Sequence, residues 1–245
     1  MTNEPKNKKS LEEKLNTSFT STHDVIATTL VHLFLLGGSG VIVFLVYKFQ
    51  PLSLFSILLL YFISLVIFTL LVLKVLRTLF PLKAGVYSPE KHSFTRWCVI
   101  LEWFLCAHYL WFYMVPGLIP HVLKKYFYRL LGAKIGRGFI PIIGKLEVCQ
   151  LITIEENVIV GDASIEAFTH LPGNKMLLGK IHLKKGCMIS ANSMIGPCTA
   201  VGENSIVAQL SVVPSFTTIP DNEIWSGNPA KKVADIPKLQ EEKKR

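Results

Sequence analysis

From Leu183 onward a large apolar side chain recurs at every sixth position: Leu183, Ile189, Ile195, Val201, Val207, Val213, Ile219 and Trp225. Four residues after each leader the side chain is usually small, as at Cys187, Ser193, Thr199, Ser205, Ser211 and Thr217, with Glu223 the exception. A helix buries one face at a period of 3.6 residues and a half-buried strand at a period of two, so neither alone gives a sextet. A short flat strand followed by a turn does, and three such units close one triangular coil. The leaders then point inward and stack on the leaders of neighbouring coils, while Gly, Asn and Asp tolerate the backbone angles of the turns. Stacked coils pair as parallel strands about 4.8 Å apart. No coil buries its interior alone, so stability grows with the number stacked.

The same rhythm occurs earlier, at Ile154, Val160 and Glu166, and Ile135-Gly136 opens the array. The expected fold of residues 134–235 is a left-handed parallel β-helix. Its register breaks between Glu166 and Leu183, whose separation is not a multiple of six. The intervening Pro172-Gly173-Asn174 reads as a turn or loop. A loop that interrupts a rigid scaffold is a natural place for function.

The first third of the chain has a different character. Half of all residues are apolar and only 18% are charged, against about a quarter charged in an ordinary soluble domain. The excess is concentrated in Val25 to Tyr47 and Leu52 to Leu73. Each run exceeds the roughly 20 residues that a helix needs to cross hydrocarbon. They predict a retained helical hairpin turned at Lys48-Phe49-Gln50-Pro51, not a cleaved leader. Gly37, Gly38 and Gly40 either admit a close partner helix or weaken the first span locally. Lys6, Lys8, Lys9 and Lys14 precede the hairpin and Lys74, Arg77, Lys83, Lys91 and Arg96 follow it, with Lys48 alone in the connection. This asymmetry places both ends of the hairpin, and the β-helix, in the cytoplasm.

A third apolar stretch, Cys98 to Val115, contains Glu102, His108 and many aromatics between basic flanks. It is expected to lie in the interface or re-enter it. The domain plan is therefore a basic tail at 1–23, two transmembrane helices at 24–78, and an interfacial or re-entrant amphipathic region at 79–133. The β-helix at 134–235 and a charged tail at 236–245 complete it. The net charge of +9 suits attachment to anionic membrane lipid, and no nucleic-acid-binding motif is present. Five cysteines without disulfide or metal spacing fit reduced thiols.

The sextets, the segment Ile154 to Ser164, and the ending Pro220-Asp-Asn-Glu-Ile-Trp-Ser-Gly-Asn-Pro-Ala-Lys231 resemble the hexapeptide-repeat acyltransferases. More narrowly, Tyr128 to Gly136 and Phe168-Thr-His-Leu171 resemble the membrane-associated C-terminal β-helix module of polylysine-synthetase-type peptide synthetases. The resemblance covers about residues 84 to 234. It departs after Leu171, where Pro172-Gly173-Asn174-Lys175 stands in place of the acidic and basic stretch expected there.

The resemblance implies a membrane-anchored acyltransferase. An acyl or aminoacyl group would pass from a CoA or carrier-protein thioester to an amine or hydroxyl acceptor, with no permanently bound cofactor. It makes His170 the general base, for which an imidazole is suited by its ordinary pKa near 6.5. A structural or solvated loop histidine is the alternative. Trp225, Gly227, Asn228, Pro229, Ala230 and Lys231 are candidates for contacting the pantetheine or nucleotide of the donor, or for capping the open end of the array. Lys184 and Lys185 form a charged turn or a phosphate contact, and His182 faces outward from its strand. A homotrimer through the β-helix is a further implication. Only His170 and His182 fall in the β-helix, too few for the three-histidine zinc site that the same fold carries in γ-type carbonic anhydrases, and no metal is expected. The competing reading is a catalytically inactive β-helix scaffold that assembles partners at the membrane.

Overall fold

The computed structural model describes residues 22–88, 91–106, 121–138, 140–141 and 145–236. The two apolar runs form helices α1 (Thr22–Phe49) and α2 (Leu54–Leu79). The chain turns at Gln50 to Ser53, and the Ser53 hydroxyl caps α2 by accepting from Ser56 N–H at 3.2 Å. Both helices are long and apolar enough to cross a membrane. Leu30, Phe34, Phe44, Phe55 and Phe62 are among the large apolar side chains they leave exposed. Gly38 explains how closely the pair packs: a Cβ there would meet the Phe68 ring. Gly37 and Gly40 have no such neighbour. Of the three glycines, one serves helix contact.

Two shorter helices, α3 (Ser93–Leu105) and α4 (His121–Leu130), join this pair to the strands. In α3, Cys98, Val99, Leu101 and Leu105 are buried, and Glu102 is buried with its carboxylate on the Arg77 guanidinium. Much of α3 thus faces protein. The remainder of the third apolar stretch, from residue 107 onward, lies outside the described residues. Tyr128 of α4 is also buried, and Arg129 fixes the entry to the strands by donating to the Ile135 carbonyl.

The sextets form three parallel sheets that the chain visits in rotation. Sheet I contains Lys134–Ile135, Ile152–Ile154, Ile181–Leu183, Thr199–Val201 and Thr218–Ile219. Sheet II contains Ile140–Pro141, Ile159–Val160, Met188–Ile189, Ile206–Val207 and Glu223–Gly227, and ends in the antiparallel Ala230–Asp235. Sheet III contains Lys145–Glu147, Ser164–Glu166, Met194–Ile195 and Val212–Val213. Leaders pair with leaders: Leu183 with Val201, Ile189 with Val207, Ile195 with Val213 and Val201 with Ile219. From Leu183 to Ile219 none is more than 1% exposed. The small residues at Cys187, Ser193, Thr199, Ser205 and Ser211 are buried too, and the Ser205 hydroxyl donates to the Pro220 carbonyl at 2.6 Å. Ile135 pairs with Ile154 and does open the array.

One leader was misassigned. Ile165, not Glu166, pairs with Ile195 and is fully buried. The chain is one residue short there, and the slip sends the Glu166 side chain to the outer face of sheet III.

The turns repeat as regularly as the leaders. Gly186, Asn192, Cys198, Asn204, Leu210, Phe216 and Asn222 all have positive φ. Glycine and asparagine accept this conformation readily, but Leu210 and Phe216 do not, and each loses about 1–2 kcal/mol. Both are well exposed.

Candidate functional site

The register break is a β-hairpin, where the sequence suggested a loop. Phe168–Leu171 pairs antiparallel with Lys175–Leu178, which pairs in turn with Gly85–Tyr87. Pro172-Gly173-Asn174 makes the turn, with positive φ at Gly173 and Asn174. The neck is closed by Gly179 N–H donating to the Ala167 carbonyl at 2.9 Å. Met176, Leu177 and Leu178 are buried, so the hairpin is packed down against the molecule.

His170 sits on the first strand of this hairpin, opposite Met176, with its side chain accessible. The Phe168 ring meets its imidazole edge to face at 5.7 Å between centroids. Partial burial lowers its proton affinity, and the nearby Arg96 guanidinium lowers it further. Arg96 also reaches the hairpin turn, where Nη2 donates to Asn174 Oδ1 at 3.5 Å. Both effects favour the neutral imidazole, the form that can take a proton.

Beneath His170 lies a chamber of about 840 Å³, within the usual size range of small-molecule sites. Three parts of the chain build it: the first third of α1, the second half of α3, and the face formed by sheet III and the hairpin. The α3 wall is apolar, with Val99, Ile100, Trp103 and Phe104. The α1 wall is mixed, with Asp24, Val25, Thr28, Thr29 and His32, and the strand wall sets Lys145, Glu147, Glu166 and His170 beside Phe168 and Met176.

The polar groups are mostly tied to one another. Lys145 and Trp103 Nε1 both donate to Glu147 Oε1, the latter at 3.0 Å. Burial raises the proton affinity of Glu147, and those two contacts oppose the shift without cancelling it. The Ser164 hydroxyl donates to Glu166 Oε1 at 2.7 Å. On the helical side, His32 Nδ1 donates to the Thr28 carbonyl at 2.8 Å, and its ring lies edge-on to Phe104.

The terminal motif occupies another place. Glu223–Gly227 and Ala230–Asp235 form an antiparallel hairpin at the end of sheet II, turned at Asn228-Pro229 through a cis peptide. Trp225 Nε1 donates to Glu223 Oε2 at 2.7 Å, and Lys232 bridges Glu223 and Asp235. Gly227 N–H donates to Ser211 Oγ at 3.2 Å. None of Trp225, Gly227, Asn228, Pro229, Ala230 and Lys231 lines the chamber. The structure does not bring them to His170 within one chain.

His182 faces outward and donates through Nε2 to Glu155 Oε1 at 2.7 Å, a link between successive strands of sheet I. Lys184 pairs with Asp221 at 3.1 Å, which accounts for it as part of a charged turn. The sequence alone did not show that Asp24, Trp103, Glu147 and Glu166 share a chamber with His170, or that Arg96 is its charged neighbour. One signal was available, the acidic residue standing at the supposed leader position 166.

Solved structures similar to this chain include a maltose O-acetyltransferase from Clostridium difficile 630, at a TM-score of 0.45 and 18% identity, covering 63% of this chain and 94% of that one. A hexapeptide-repeat acetyltransferase from Vibrio cholerae O1 biovar eltor, complexed with acetyl coenzyme A, gives a TM-score of 0.43 and 17% identity, covering 53% and 84%. A curated relative is the Delta-poly-L-ornithine synthetase of Acinetobacter baumannii (strain AB307-0294), 27% identical over 124 residues. That match covers 51% of this chain and only 9% of the synthetase, which is a far longer protein. No family model matches the chain.

Proposed function

We propose that the protein is a membrane-anchored acyltransferase in which His170 is the general base. The observation that carries the reading is the position of His170: an accessible imidazole on a packed hairpin at the edge of a large chamber. The rotation of strands through three parallel sheets supports a left-handed parallel β-helix over residues 134–235, as in the acyltransferases that the sequence resembles. The two long apolar helices support membrane spanning, and the basic residues that flank them support a β-helix on the cytoplasmic side.

In the proposed reaction an amine or hydroxyl acceptor lies beside His170. The imidazole removes the acceptor's N–H or O–H proton as the nitrogen or oxygen attacks the carbonyl of an acyl or aminoacyl thioester. The new C–N or C–O bond forms, the C–S bond breaks, and the thiolate leaves with the proton that the imidazolium returns. The donor is a CoA or carrier-protein thioester, consumed as substrate. The terminal motif, remote from His170 in one chain, would serve the donor through a neighbouring copy, which is the reason for proposing a trimer. Leu210 and Phe216, exposed in strained turns, are apolar surface available to such an interface.

The test is His170→Ala against wild type, with folding matched by circular dichroism and free thiol release measured with candidate donors and acceptors. Loss of the base lowers the rate by about 10²–10⁴-fold. Equal turnover in both proteins removes His170 from the mechanism. No turnover in either, with every donor tried, favours a scaffold that assembles partners at the membrane. Native mass spectrometry of the same preparations reads the assembly, and a monomer at high protein concentration counts against the trimer.

A further inference from the structure

We infer that the chamber below His170 binds the alkyl chain of a membrane amphiphile, placing the amphiphile's reactive head against the imidazole. The inference rests on the acyl-transfer reading for the identity of the head, but not for the binding of the chain.

The two walls of the chamber differ in chemistry. Val99, Ile100, Trp103 and Phe104 of α3 face it from one side, and Lys145, Glu147, Glu166 and His170 of the strand face from the other. A wholly polar substrate would leave the helical wall unused and would displace water from it without gain. A wholly apolar one would bury Glu166 and His170 against hydrocarbon, at a cost. An amphiphile satisfies both walls, with its chain along α3 and its polar head at the strands.

The position of the chamber along α1 supplies a second, independent argument. α1 has 28 residues, about 42 Å of helix against a hydrocarbon thickness of about 30 Å. The excess is taken up by tilt or by turns standing outside the hydrocarbon. Asp24, Val25, Thr28, Thr29 and His32, the chamber residues of α1, lie in its first three turns, the end nearest the basic N-terminal tail. In the proposed orientation this end of α1 lies at the cytoplasmic headgroup level, and α1 itself forms part of the chamber wall. A chain already lying in the inner leaflet can enter beside α1 without crossing water. Because the chain moves from one hydrocarbon surrounding to another, its selection comes from fit to the chamber and from the contacts of its head rather than from transfer out of water.

The same chain chemistry has two sources, the acyl group of the donor or the body of a lipid-like acceptor, and the test separates them. Full-length wild type in nanodiscs is given a diazirine-tailed palmitoyl-CoA in one arm and a diazirine-tailed long-chain alkylamine in the other. Labelled peptides are mapped, with unlabelled competitor as control. The expected result is saturable labelling of the segments containing Val25 to His32 and Val99 to Phe104 in one arm, which names the source. Ile100→Trp, which fills the chamber, lowers that labelling about ten-fold. It also shifts the kcat/KM preference for long over short chains by about ten-fold, a ratio that is insensitive to the fraction of folded protein.

Labelling spread evenly over the outer surface of α1 and α2, without saturation in either arm, overturns the inference. So does a chain-length preference that Ile100→Trp leaves unchanged. Chamber labelling without turnover by any donor supports the binding site and sinks the catalytic reading. His170-dependent turnover without chamber labelling does the reverse.

Discussion

At the scale of single residues, the proposed general base is a histidine whose surroundings lower its proton affinity. Burial and the Arg96 guanidinium both lower the proton affinity of His170, so the acid limb of activity should fall below the ordinary histidine pKa of about 6.5. A base must be unprotonated, so activity is present above the folded pKa and lost as pH falls through it. Removing the positive charge with Arg96→Gln raises that pKa and moves the acid limb to higher pH. Arg96→Lys keeps the charge and restores the original profile. The pH dependence of kcat/KM, normalised to its plateau, checks this independently of the amount of active protein. An acid limb that Arg96→Gln leaves in place means that Arg96 only anchors the hairpin through Asn174. His170 was legible in the sequence because it stands in the insertion that interrupts the sextets. Its charged neighbour was not, since Arg96 reaches it from a helix remote in sequence.

At the scale of elements, the sextet determines which side chains meet, and the meeting is unforgiving. Val201 is fully buried between Leu183 and Ile219 in adjacent strands. Val201→Asp places an unpaired carboxylate in that stack, at a cost of several kcal/mol. That is comparable with a whole domain's stability of about 5–15 kcal/mol. Limited proteolysis of the variant should degrade residues 134–235 under conditions that wild type survives, while unchanged resistance would mean that the leaders do not face inward. The period made this element legible, but not its exceptions. Counting forward from Ile154 and Val160 reaches Glu166, whereas counting back three sextets from Leu183 reaches Ile165, so the short coil is legible only from its later side. The hairpin was equally hidden. Its strands are held by pairing with Gly85–Tyr87, a segment far upstream that no local pattern connects to Phe168–Leu178.

At the scale of the whole molecule, the helical pair and the strands are built as one body. Glu102 of α3 receives Arg77 of α2, Trp103 of α3 donates to Glu147 of sheet III, and Trp97 Nε1 donates to the Thr28 hydroxyl of α1 at 3.1 Å. These contacts place the chamber where the proposed anchor meets the proposed catalytic domain. The proposed orientation, with both termini on the cytoplasmic side, predicts that single cysteines introduced near Arg96 and Lys124 into a cysteine-free variant react with an impermeant maleimide only when the cytoplasmic face is exposed. Those near Gln50 should react only from outside. Labelling of either basic site from outside reverses the proposed orientation.

What the sequence alone determined is whatever depends on periodicity and on length. The sextet dictated the inward residues and the parallel strands, because only a repeating strand-and-turn unit buries every sixth side chain. The two apolar runs dictated long helices, because their length and lack of charge leave few other structures. The tertiary structure alone decided the site. Its chamber needs α1, α3, sheet III and the hairpin at once, and their side chains converge through packing and hydrogen bonds between segments widely separated in the chain. Convergence of that kind leaves no local period to read.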